Sequence, residues 1–172
     1  KRTDAQWARI EPLIVFPPKR PERRGRPRRA GREILEAILW ILQTGAPWAR
    51  LPAQFPLRPT CHDRFHAWNR NGTLQRVLQV LAEELHQQGK LKLSECFIDA
   101  CFIATKKGDV VGKTKRGKGS KLMAIADANG MPLAVLVASA SPHEIRLVEA
   151  TVAARFTEAR PVRLIGDQAY EE

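Results

Sequence analysis

Apolar residues recur at helical spacing through the first half of the chain and at strand spacing through the second. Thr3-Asp4-Ala5-Gln6 predicts a helix start, with Thr3 capping and Gln6 reaching back to it, and Trp7, Ile10 and Leu13 or Ile14 continue the period. Pro17-Pro18 ends that helix. Ile34, Leu35, Ile38, Leu39, Ile41 and Leu42 predict a central buried helix from about Arg32 to Thr44, closed by Gly45. A third helix is predicted from Thr60 as cap, with Cys61, Phe65 and Trp68 as its apolar stripe and Asn71-Gly72 as its stop. Thr73 is predicted to cap a fourth, whose face is Leu74, Val77, Leu78, Leu81 and Leu85. Trp7, Trp40, Trp48 and Trp68 are expected in the core of this half.

After Gln88-Gly89 the period shortens. Residues 94–104 predict a strand around Asp99, residues 105–121 a loop rich in Gly and Lys, and residues 122–126 and 131–138 a hairpin about Asp127-Ala128-Asn129-Gly130. Ser141-Pro142-His143-Glu144 predicts a capped helix that Ile145, Val148 and Val152 continue, and residues 162–165 predict a last strand ending at Gly166-Asp167. Helices followed by strand, strand, strand, helix, strand predict an α+β chain. A helical unit, 1–90, carries a basic linker at 19–32, and an α/β unit covers 91–172.

Composition narrows the partner. Lys and Arg number 29 against 18 Asp and Glu, a net charge of +11 over 172 residues, which points to a polyanion and excludes an acidic solvating tail. No apolar run approaches the roughly 18 to 20 residues of a membrane span. Cys61, Cys96 and Cys101 form no CxxC pair, so a disulfide framework and a zinc site are both poor fits, and a reducing cytoplasm is expected. The chain opens without Met and stops soon after a strand-like run, so a fragment is expected.

Two acids stand out. Asp99 sits among Phe97, Ile98, Ala100 and Phe102, and a carboxylate buried there needs a partner, a metal or a raised pKa. Asp167 follows the last strand, where open α/β sheets place functional groups. Two carboxylates at the ends of adjacent strands suit Mg²⁺. The alternative is that Asp99 lies on a solvated sheet face and Asp167 caps a turn.

Three basic segments accompany them. Arg24, Arg26, Arg28 and Arg29 lie in an Arg-Gly-Arg-Pro strand that either fits a narrow A·T minor groove or is a solvated linker. His62, Arg64, His66 and Arg70 share the third helix, which follows a buried helix as a recognition helix does, or is an ordinary surface helix. Lys113, Lys115, Arg116, Lys118 and Lys121 crowd the loop after Asp99 and favour contact with a DNA backbone over a solvated hairpin tip. His62 and His66 are four apart, but no third ligand at matching spacing supports a metal there.

Taken in order, FIDA around Asp99, the KTKRGKGSK loop, the DANG turn, SPHE and LIGDQAY around Asp167 resemble bacterial insertion-sequence transposases of the DDE type, in the insertion-sequence-five-like group. GRPRR, ILWILQTGAPWARLP and TCHDRFHAWNRNG resemble the small DNA-binding domain that precedes their catalytic domain. The resemblance implies a helix-turn-helix-like domain and then a truncated ribonuclease-H-like domain, with Asp99 and Asp167 as catalytic Mg²⁺ ligands. In that family a third ligand, a Glu on a later helix, completes the site, and the sequence stops before it. Two metals then clamp the attacking and leaving oxygens of an in-line phosphoryl displacement. The implied partners are double-stranded DNA at element ends and target, and either a homo-oligomer or a second polypeptide supplying the rest of the catalytic domain. The implied location is the cytoplasm, at the nucleoid. The competing reading is a non-catalytic DNA-binding protein derived from a truncated transposase.

Overall fold

A computed structural model describes residues 3–16 and 27–167. The chain divides into two compact units, Lys1–Val77 and Leu78–Glu172. The division falls inside a helix, short of the change of period at Gly89.

The first unit is helical. Helix α1 (Asp4–Ile10) starts with the expected capping box, in which Thr3 and Gln6 exchange hydrogen bonds. Helix α2 (Gly31–Thr44) ends at Gly45, whose φ of 64° is the left-handed conformation that glycine adopts without strain. Ile34, Leu35, Ala37, Ile38 and Ile41 of α2 are buried, whereas Leu42 at the edge of the stripe is 58% exposed. Helix α3 (Arg58–Arg70) begins two residues before Thr60, because Pro59 sits in the first turn, where a missing N–H costs nothing. Cys61 and Trp68 of α3 are buried. Of the four tryptophans only Trp68 is fully enclosed, and its indole N–H donates to the Val15 carbonyl at 3.0 Å. Residues 45–57 join α2 to α3, against roughly three or four residues in a compact helix-turn-helix. Only Asn71-Gly72 separates α3 from α4 (Thr73–Gln87), and the Asn71 side chain accepts from the Thr73 amide.

The second unit is a five-stranded sheet with helices. Strand β1 (Cys96–Ala104) pairs antiparallel with β3 (Gly117–Asp127) along its whole length and parallel with β5 (Leu164–Ile165) on its other side. Strand β4 (Pro132–Ser139) flanks most of β3, and the short β2 (Gly112–Thr114) flanks its beginning. Cys96, Ile98, Met123, Ile125, Leu133 and Ala134 form the core, with Leu85 of α4 and Val148 and Val152 of α5 (Val148–Ala153) packed against it. The carboxylate of Glu83 also accepts from Thr157, so the last turns of α4 belong to the sheet unit.

The predicted loop at 105–121 is in part a second hairpin. Lys115-Arg116 is its two-residue turn, with Gly117 at φ 107°. Gly112 and Gly119 serve close packing. A Cβ at Gly119 would collide with the Phe102 ring, and one at Gly112 with Ser139 and Ser141. Ser141 does not cap a helix either. Its hydroxyl turns to the Lys113 carbonyl, and the helical segment starts later, as a 3-10 turn over Glu144–Leu147.

Candidate functional site

Strand alternation settles the environment of Asp99. Cys96 and Ile98 point into the core, so Phe97, Asp99, Cys101 and Ile103 take the other face and are exposed. Of the two readings of Asp99, burial is overturned and the solvated sheet face holds: the apolar run around it supplies two faces, only one of which is covered. Its Oδ1 accepts from the Ala100 amide at 2.7 Å. Asp167 is exposed as well. The parallel register pairs Cys96 with Leu164 and Phe97 with Ile165. Asp99, within β1, and Asp167, past the end of β5, each stand two residues beyond the last of these pairs.

Carboxylates are hard oxygen donors, the chemistry Mg²⁺ takes when one or two of them share it with water and substrate phosphates. Among the described residues no three His, Cys, Asp or Glu side chains gather into a group that could hold a metal.

The cations fall into several settings. Arg24 and Arg26 lie outside the described residues. Arg28 and Arg29 are exposed ahead of α2. On α3, His66 and Arg70 are exposed, but His62 and Arg64 are half-buried against aromatic rings. The edge of Trp48 meets the His62 ring at 5.3 Å, and the His62 and His66 Nε2 atoms face each other at 3.2 Å. The Arg64 guanidinium lies 4.9 Å over the Phe16 ring. Burial, and then the Arg28 charge, hold the Arg64 pKa below its ordinary value, with Asp63 acting the other way.

In the sheet unit Lys113, Lys115, Arg116 and Lys118 are exposed on the β2–β3 hairpin, and Lys113 stands directly opposite Lys118. Lys121 departs from them. It shares the inward parity of Met123 and Ile125, and its Nζ donates to the Pro142 carbonyl at 2.9 Å and meets Glu144 at 3.3 Å. Its charge is neutralised within the fold.

One residue assigned simply to a turn carries more. Asp127 is 1% exposed, and its carboxylate accepts from the amides of Asn129, Met131 and the distant Lys92. Burial alone would raise its pKa; the three amides and the Lys92 charge outweigh it and hold the carboxyl below its ordinary range. The position of Asp127 at the end of an alternating strand, on the parity of Ile125, was the available signal.

The family described as "Putative transposase of IS4/5 family (DUF4096)" matches residues 3–78. The uncharacterized 16.2 kDa protein of insertion element IS402 from Burkholderia cepacia is 32% identical over 117 residues, which cover 64% of this chain and 78% of that protein. Protein y4sN of Sinorhizobium fredii is 35% identical over 81 residues, 47% of this chain and 62% of that one. No solved structure matches the chain. Among the described residues no helix is long and apolar enough to cross a membrane.

Proposed function

The chain belongs to the IS4/5 family of transposases, and on that premise we propose that it binds double-stranded DNA through its helical unit and presents Asp99 and Asp167 as ligands of a catalytic Mg²⁺. The observation that supports the second half of this reading is the parallel β1–β5 register, since Asp99 and Asp167 each follow its Phe97–Ile165 pair by two residues. It agrees with a ribonuclease-H-like sheet, in which the first acid lies on the first strand and the second follows the strand parallel to it. Bound there, the ion would supply the Lewis acid for phosphoryl transfer. The chain's own part is to hold the two carboxylates open to solvent, away from the packed core.

The hairpin cations Lys113, Lys115, Arg116 and Lys118 are the second support. Like charges directly opposite on neighbouring strands repel, and an anion laid across Lys113 and Lys118 relieves that repulsion. A DNA backbone passing the sheet is the natural polyanion. Arg28, Arg29, His66 and Arg70 serve the helical unit in the same way, and Arg24 and Arg26 add to the positive charge of that stretch of sequence.

Mn²⁺ or Mg²⁺ titration followed by calorimetry tests the carboxylate pair. The wild type is expected to bind one ion weakly, and Asp99→Asn and Asp167→Asn each to abolish that binding without changing the affinity for duplex DNA. Ion binding that survives both substitutions refutes the site. Fluorescence anisotropy with duplex DNA tests the partner: affinity is expected to fall steeply as salt rises, as phosphate contacts release counterions.

A further inference from the structure

We propose that His62 and His66 of α3 form an open, two-ligand site for a divalent transition-metal ion of the class of Zn²⁺, Ni²⁺ or Cu²⁺. The pair lies within the helical unit, and the proposal rests neither on the carboxylates of the sheet unit nor on DNA binding. Spacing along the chain argues against a closed cage, and among the described residues no three ligand side chains gather into one. An open site asks only that two nitrogens converge.

Residues four apart on a helix share a face, but sharing a face does not make two rings meet. Here they meet. The Nε2 atoms lie 3.2 Å apart, with the ring centroids at 4.4 Å and the planes at 69°. With metal–imidazole bonds of about 2.0 to 2.1 Å, two ligands stand about 2.9 Å apart at a right angle and about 3.4 Å apart at the tetrahedral angle. The observed separation falls between these values, so α3 already sets the spacing that a chelate requires. In the metal-free chain the two nitrogens can share one hydrogen bond, and the ion takes the place of its proton, which moves to Nδ1 of the donating ring.

The surroundings hold the rings for this role. Trp48 meets the His62 ring edge-on at 5.3 Å, and Phe65 lies 5.5 Å from the His66 ring and 5.8 Å from Trp48. Rings placed in advance lose less freedom when they bind. A ligating imidazole keeps its proton on the other nitrogen, and a nearby carboxylate favours that tautomer. Asp63 Oδ1 lies 3.9 Å from His62 Nδ1, so it favours the form of His62 whose Nε2 carries the lone pair. His66 is exposed, which gives an ion a path from solvent. Imidazole nitrogen suits zinc, nickel and copper, whereas Mg²⁺ prefers oxygen, so this pair and the carboxylates take different ions.

The experiment follows urea unfolding of the full 172-residue chain by tryptophan fluorescence, with and without Zn²⁺, in excess Mg²⁺ to fill hard oxygen sites. All four tryptophans lie in the helical unit, so the signal reports the unit that carries the pair. An ion that binds the folded state raises the midpoint as its concentration rises. The wild type is expected to show that rise, and His62→Gln and His66→Gln each to lose it. The two variants are made separately, so that one decides if the other shows no metal-free transition. In ¹⁵N spectra of the four histidines, Zn²⁺ is expected to move the Nε2 signals of His62 and His66 and to leave those of His86 and His143 in place. A wild type without the midpoint rise, a rise that survives in both variants, or signals that move at His86 or His143 instead would overturn the site.

Discussion

The two units hold their cations by different means. In the helical unit Arg64 lies across Phe16, which packs on Trp68, so the position of a charge follows from the packing of a core. In the sheet unit Lys113 and Lys118 face each other because the β2–β3 register puts them there, and both are exposed. A charge placed by packing is directional and is lost when the core is disturbed. A charge placed by a hairpin contributes mainly field, and neutralising it leaves the fold intact. The first arrangement suits a fixed contact and the second suits general attraction to a polyanion.

Breaking the core of the helical unit has the largest expected effect. Trp68→Ala removes a fully buried ring and leaves the Val15 carbonyl without the indole donor, at a cost of about 3 to 5 kcal/mol. All four tryptophans lie within the first 77 residues, so their fluorescence reports this unit alone. In Trp68→Ala the urea midpoint of the remaining tryptophan signal should fall sharply and DNA affinity with it, and an unchanged midpoint would refute this account of the core.

Asp127→Ala should cost the sheet unit about 3 kcal/mol, because three amides lose a charged acceptor in a buried turn. Its folded pKa lies below the unfolded value, so its stabilisation is complete above the unfolded carboxylate pKa and is lost as pH falls through the folded one. Sheet circular dichroism should therefore show an acid limb that Asp127→Asn flattens, with the tryptophan signal little changed. Gly119→Ala is expected to cost about 1 to 3 kcal/mol, since the added methyl meets Phe102 and the β1 backbone.

The smallest effect sharpens the comparison most. Lys113→Gln removes a like-charge pair and should stabilise the free protein by about 0.2 to 1 kcal/mol while weakening duplex binding at low salt. A urea titration and an anisotropy titration on the same protein test both signs. Stabilisation without weaker binding would remove the hairpin from the DNA surface.

Much of the fold was legible because local signals decide it. The Thr3–Gln6 box, the left-handed Gly45 and the Asp127–Gly130 turn each rest on bonds among residues close in sequence. Legibility failed where a residue's partner lay far away. Ser141 resembles a helix cap, but its hydroxyl is used by the Lys113 carbonyl across the sheet. Lys121 resembles its neighbours in a basic loop, but β3 extends back to Gly117 and puts it on the core parity, opposite Glu144.

The sequence by itself determined the periods, the division into a helical half and a strand-rich half, the positive charge and the presence of an acid in the first strand and another just after the last. Only the tertiary structure decided which face of each strand is covered, because alternation defines two faces and says nothing of what packs on either. Helices α4 and α5 cover the face of Cys96 and Ile98, so Lys121 and Asp127 are drawn inward and find their partners there, while Asp99 is left at the surface.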